Sequence, residues 1–232
     1  MRILKAKNMR IHPALLVSVF VLAGSCIGIG ATPATNRDRS FDSGWRFLRA
    51  DAPGAEAPAF DDAAWRVLDL PHDWSIEDLP PTNGTPPSPF NPVLSAGGPA
   101  TGYTVGGIGW YRKHFTLPAS VSNQVVRVEF DGVMQNSDVW LNGHHLGHRP
   151  NGYVSFSYEL NGHLNFGGDN VLAVRCDTSA QPASRWYSGA GIYRHVRLVF
   201  TDPVHIVENG VFIFTPEIKP DGTMVQVETL VT

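Results

Sequence analysis

The chain has 232 residues, with 18 Lys and Arg against 21 Asp and Glu and a formal net charge of −3, room for one large domain or two small ones. Beyond Arg10 no cluster of basic side chains occurs, which excludes a nucleic-acid binder that works by gripping phosphates. Of two cysteines only Cys176 lies clear of the amino-terminal segment, and one thiol excludes an internal disulfide.

The first element is a leader. Arg2, Lys5, Lys7 and Arg10 precede an apolar run from Ala14 to Ile29, and no acidic residue comes before Asp38. That order of basic, apolar and small residues predicts a signal peptide over residues 1–34, cut between Ser25 and Ala34, and an exported protein, periplasmic or extracellular. A retained anchor is the alternative, but the run is short and Gly-rich for a membrane span. Ala23-Gly24-Ser25-Cys26 resembles a lipoprotein cleavage site, with Ala where Leu is usual three residues before the cysteine. Losing the leader takes four basic side chains from 18, leaving 14 against 21 acidic ones, a net of about −7.

Strands dominate the rest. Phe60 to Trp65 predicts a short helical turn with Asp61 as N-cap. Leu79 to Gly107 is rich in Pro and Gly, without periodicity, and predicts a long surface excursion. Val126, Val128 and Phe130 alternate with Arg127 and Glu129, a half-buried strand. Val139-Trp140-Leu141, then Asn142-Gly143, then His144-His145-Leu146 predicts a hairpin through a type I′ turn. Tyr153 to Leu160, Val171 to Cys176 and Tyr193 to Phe200 complete the strand set, with Cys176 on the face of Leu172 and Val174 as a buried, inert thiol. Short strands with frequent turns point to an antiparallel sandwich. Asp202-Pro203 marks a boundary, followed by two strands, Val204 to Phe214 and Met224 to Val231, joined across Pro220-Asp221-Gly222.

Five stretches carry a family likeness: Phe41-Asp42-Ser43-Gly44-Trp45-Arg46-Phe47; Phe60-Asp61-Asp62 with Trp65 and Leu70-Pro71-His72-Asp73-Trp74; Gly109-Trp110-Tyr111-Arg112-Lys113; Val139-Trp140-Leu141-Asn142-Gly143 with Leu146-Gly147, Gly152-Tyr153 and Phe156; and Arg185 through Arg194. In this order they resemble the N-terminal region of glycoside hydrolase family 2, and Pro-His-Asp-Trp leans towards its β-galactosidases. The resemblance implies an all-β fold: a jelly-roll, galactose-binding-like antiparallel sandwich over residues 38–201, then the first strands of an incomplete immunoglobulin-like sandwich over 203–232. It also implies a catalytic barrel bearing a Glu acid/base and a Glu nucleophile. Neither motif has a counterpart in this sequence, so the chain is predicted inactive alone.

The same resemblance implies the site. Asp73 matches a position that touches sugar hydroxyls, and a carboxylate accepts such bonds strongly; the plain alternative is a cap on the turn before Trp74. Arg185, Trp186 and Tyr187 offer a donor fork and aromatic faces to a saccharide, or else Trp186 is core and Arg185 pairs internally. Tyr193 and Arg194 read as strand structure. His72, His144, His145, His148 and His163 lack acid or Cys at ligand spacing, so no metal and no cofactor are expected, and adjacent His144 and His145 face opposite sides of a strand. Trp45, Trp65, Trp110 and Trp140 read as core. The expected partner is a β-galactoside or related saccharide, with neither nucleic acid nor a membrane span, and with self-association through open strand edges. The alternatives are a stand-alone carbohydrate-binding module or a protein-interaction sandwich without catalysis.

Overall fold

The computed structural model describes residues 2–5, 9–11, 37–81, 86–181 and 188–232. Among them are fourteen strands and no α-helix, and every ladder between strands is antiparallel. The strands are β1 (Arg2–Lys5), β2 (Met9–Ile11), β3 (Asp38–Ser40), β4 (Trp45–Leu48), β5 (Arg66–Leu68), β6 (Ile108–Thr116) and β7 (Val125–Phe130). They continue as β8 (Ser137–Leu141), β9 (His144–Arg149), β10 (Phe156–Glu159), β11 (Asp169–Asp177), β12 (Val196–Thr201), β13 (Ile206–Lys219) and β14 (Gly222–Val231). The chain divides into two compact units, Asn36–Phe200 and a second formed by Met1–Thr35 with Thr201–Thr232.

The larger unit holds two sheets, ordered β10-β7-β12-β3 and β5-β4-β6-β11-β8-β9. Alternation decides which side chains point between them. Val126, Val128 and Phe130 of β7 and Val196, Leu198 and Phe200 of β12 form one cluster with Trp45, Phe47, Tyr111, Leu141, Leu172, Val174 and Cys176 of the other sheet. Each such side chain contributes about 1.5–3 kcal/mol of burial free energy. The period-two reading of β7 and β11 is therefore borne out, as is a core place for Trp45, Trp65 and Trp110.

The six-stranded sheet is also covered on its second face. There Trp110 and Ala173 pack under Ala52, Ala55 and Trp65. The covering segment has no strand partners for its carbonyls, and a buried carbonyl needs a donor. Arg112, fully buried on β6, supplies the donors: it binds the Ala55 carbonyl and, at 3.0 Å, that of Ala57, while its Nε meets Asp62 Oδ2 at 2.7 Å.

Local chemistry sets the strand ends. Asn142 and Gly143 have φ of 51° and 84°, the two positive values a type I′ turn requires, so the predicted hairpin of β8 and β9 is present. Phe60–Trp65 is a turn and not a helix. Asp61 Oδ1 accepts from the Ala63 amide at 3.0 Å, but the chain enters β5 at Arg66 before a second turn can form. The strand expected from Tyr153 begins only at Phe156, because Asn151 Oδ1 takes the Tyr153 amide at 2.8 Å and such a local bond competes with a ladder. Tyr193 and Arg194 precede β12 instead of lying in it; the Tyr193 hydroxyl donates to the Gly152 carbonyl at 2.9 Å.

In the smaller unit β13 and β14 pair as the expected hairpin across Pro220-Asp221, with register shifts between Ile206 and Val211 and between Phe214 and Glu217. The other edge of β14 takes β1, from Arg2 opposite Val231 to Lys5 opposite Glu228, and β2 opposite Thr223 to Val225. Both partners lie in the segment read as a leader. No helix among the described residues is long and apolar enough to cross a membrane.

Candidate functional site

Asp73 sits where three segments converge. His72 and Trp74 donate their amides to the Ile192 and Ala190 carbonyls at 2.8 and 3.1 Å. Gly191 in turn exchanges amide bonds with Met134 at 2.7 and 2.9 Å. Asp73 caps the 3-10 turn Trp74–Ile76. One carboxylate oxygen, Oδ1, does all the internal work: it accepts from the Ser75 amide at 2.9 Å, the Ser75 hydroxyl at 2.6 Å and the Ala190 amide at 2.8 Å. Oδ2 has no hydrogen-bond partner among the described residues. It lies over Gly189, where an added Cβ would stand 2.6 Å from it. The cap and the ligand contact are thus compatible roles, divided between the two oxygens.

The support beneath Asp73 is a packed network. Trp74 is fully buried and stacks on Phe47, with ring centroids 5.6 Å apart. Gly109 of β6 makes room for it, since a Cβ there would come within 2.6 Å of the indole. The Tyr111 hydroxyl meets His72 Nδ1 at 2.7 Å, and His72 Nε2 meets Glu77 Oε1 at 2.8 Å. A neutral imidazole with its proton on Nε2 donates to Glu77 and accepts from Tyr111, and Arg66 Nη2, 3.0 Å from Nε2, then donates to Glu77 instead. Burial holds the His72 pKa below its ordinary value despite Glu77, and pushes the Tyr111 phenol well up. Glu77 also binds Arg66 at 2.6 Å. Arg49 donates to the Trp74 and Val105 carbonyls at 3.2 and 3.0 Å, tying the 79–107 excursion to the turn.

Between Ser75, Thr104, Thr178 and Gly189 only about 10 Å³ is left open, space for about one water. What the described residues present is therefore a carboxylate edge and not a closed pocket. Arg185, Trp186 and Tyr187 lie outside the described residues; Gly189 and Ala190, shortly after them, lie against Asp73. The sequence reading missed Arg49, Tyr111 and Glu77. Tyr111 carried a signal, its place in the Gly109-Trp110-Tyr111-Arg112 stretch beside an alternating strand; Arg49 and Glu77 carried none.

The other histidine candidates pair with neighbours. His145 and His148 bracket Asp138 at 2.9 and 3.1 Å, while His144 stacks on His163, so adjacent His144 and His145 do face apart. Among the described residues no group of three metal-capable side chains converges. Cys176 is fully buried, and burial pushes its thiol far above the reactive range.

Residues 39–203 match the family description "Glycosyl hydrolases family 2, sugar binding domain". The chain is 45% identical over 195 residues to a β-galactosidase of Bacteroides ovatus, covering 83% of this chain and 22% of that protein. It is 29% identical over 210 residues to a β-glucuronidase of Formosa agariphila, covering 82% and 20%. A solved family 2 member from Bacteroides cellulosilyticus superimposes with a TM-score of 0.74 at 41% identity, over 84% of this chain and 24% of that one. The chain spans about a fifth of the length of the curated relatives it matches.

Proposed function

The chain belongs to glycosyl hydrolases family 2 through its sugar-binding domain, and from that premise we propose that residues 39–203 hold the terminal sugar of a β-galactoside for the family's hydrolytic reaction. The observation that carries this reading is the Asp73 carboxylate, anchored through Oδ1 and with Oδ2 unpartnered among the described residues. An ionised oxygen fixed in place accepts sugar hydroxyls through the stronger, charge-assisted kind of bond. It disfavours a uronate, whose own carboxylate would meet a like charge. Identity of 45% to a β-galactosidase against 38% to a "Putative beta-glucuronidase" leans the same way. Arg185, Trp186 and Tyr187 belong to this reading by sequence alone. No residue of the chain is assigned the acid, base or nucleophile role; a retaining glycosidase needs two carboxyl groups about 5–5.5 Å apart.

Asp73→Asn tests the assignment. The amide oxygen keeps the three bonds of Oδ1, while the charge at Oδ2 is lost. By calorimetry with galactose, affinity should fall about tenfold, near 1.4 kcal/mol, with the unfolding midpoint unchanged. Equal affinities would leave Asp73 a structural cap. A stand-alone carbohydrate-binding module is the second reading, favoured by a family match that falls on a binding domain. Residues 1–232 that bind galactose, yet leave unchanged the nitrophenyl galactoside hydrolysis of a family 2 catalytic domain added in trans, would support it. We also infer export from the basic and apolar leader; native protein that retains Met1 would argue against it.

A further inference from the structure

Far along β6 from the Asp73 site lies a second polar cleft. Gly109, under Trp74, and His114 are five residues apart on this strand, about 17 Å by strand rise. Around His114 a cleft of about 590 Å³ opens among Pro58, Asn142, His144, His163 and Asp169. That volume falls within the range of about 300–1,000 Å³ typical of small-molecule sites.

The floor of the cleft is built from locked amides. Asn142 donates to the His163 carbonyl at 2.7 Å and to Asn170 Oδ1 at 2.9 Å, and accepts the Val171 amide at 2.8 Å. Asn170, 1% exposed, accepts the Asn165 amide at 2.8 Å and donates to the Asn165 and Gly168 carbonyls at 3.0 and 3.1 Å. These bonds fix the β8–β9 turn, the turn at Asn161–His163 and the start of β11 in one frame. The frame leaves four groups without hydrogen-bond partners among the described residues: the Asp169 carboxylate, Asn165 Oδ1 and the imidazoles of His144 and His163. These four exposed residues line the cleft on a scaffold whose own bonds are satisfied, an arrangement that holds them in place for a ligand.

The chemistry of those groups narrows the ligand. A metal ion must lie in the ring plane of each imidazole it binds. His144 and His163 are stacked at 4.1 Å with only 15° between their planes, so no nearby point serves both. An anion would meet the Asp169 carboxylate and the Asp62 carboxylate that binds His114 at 2.7 Å. Hydroxyl groups, which both donate and accept, match a mixture of free acceptors and amphoteric imidazoles. Pro58, Leu164 and Val171 add apolar contacts for C–H faces. We propose that this cleft is a second carbohydrate site, holding a neutral saccharide through Asp169, Asn165, His144 and His163. It does not depend on the role given to Asp73.

The test is a lactose titration of the full chain, read from the ring resonances of His144 and His163, assigned with His→Gln variants. Saturable shifts at about millimolar lactose are expected. They should persist in Asp73→Asn and weaken about tenfold or more in Asp169→Ala. Asp169 is exposed and its carboxylate has no protein partner among the described residues, so that variant should keep the wild-type unfolding midpoint. Rings that stay unmoved at about 100 mM lactose, or shifts lost in Asp73→Asn and retained in Asp169→Ala, would overturn the proposal. If galactose affinity is indifferent to Asp73→Asn while the ring shifts survive, the Asp73 reading fails and the second site stands.

Discussion

Burial depresses the His72 pKa from an ordinary value of 6.5, and the hydrogen bond and charge of Glu77 only partly oppose it. The sign of the consequence follows from proton linkage. The unfolded chain takes up a proton at about pH 6.5 and the folded chain only at lower pH, so acidification through this window favours unfolding. Glu77, whose pKa lies below the usual 4.5, does not titrate there. Urea unfolding should therefore show stability falling from about pH 7 to pH 5.5, and the fall should shrink in His72→Asn. An identical pH slope in the variant would remove His72 as the cause. At this scale the sequence was half legible. His72 and Asp73 stood out because they lie side by side in a recognisable stretch. Glu77 and Arg49 did not, because a charged side chain in a loop gives no pattern until the fold turns it inward.

At the level of elements, Arg112 does for the segment from Ala52 to Trp65 what a neighbouring strand would otherwise do. Its fork satisfies the Ala55 and Ala57 carbonyls and pairs with Asp62. Burial would raise the Asp62 carboxyl, but hydrogen bonds from His114 and Arg112 outweigh it and keep the pKa below the usual range. Removing the guanidinium leaves the buried carbonyls without donors and Asp62 with only His114 and Arg46 as partners. Arg112→Ala should lose about 3–5 kcal/mol of unfolding free energy, measured by denaturant titration; a loss under about 1 kcal/mol would mean that the pair behaves as an exposed one. Which elements the sequence revealed follows the same logic. The β8–β9 hairpin and β7 were legible because Asn-Gly chemistry and period-two alternation act locally. The second burial layer over β6 was not, since it depends on an aperiodic segment joined to the sheet by side chains, Arg112, Arg46 and His114, and not by a ladder. Tyr153 and Val154 alternate correctly yet stay out of β10, because a side-chain bond from Asn151 acts before the ladder can.

For the whole molecule, the segment read as a leader and the terminal hairpin are linked through β14. One edge of this strand is paired with β13 and the other with β1 and β2. If export removes residues 1–34, the second edge is left with its amides and carbonyls unpaired, a template for another chain. The surface beside it is apolar: Ile206, Val211, Phe212, Ile213 and Ile218 of β13 are 47–75% exposed. Nothing in β14, from Gly222 to Val231, guards the edge with Lys or Pro, the residues that usually blunt one. Chain beginning at Thr35 should therefore self-associate in light scattering at about 100 μM, and Val227→Lys should shift it back towards monomer. The full-length chain, with β1 and β2 in place, should associate less. A leaderless chain that stays monomeric at that concentration would mean that the β14 edge is not a docking edge, and that the expectation of self-association drawn from unpaired strands fails with it.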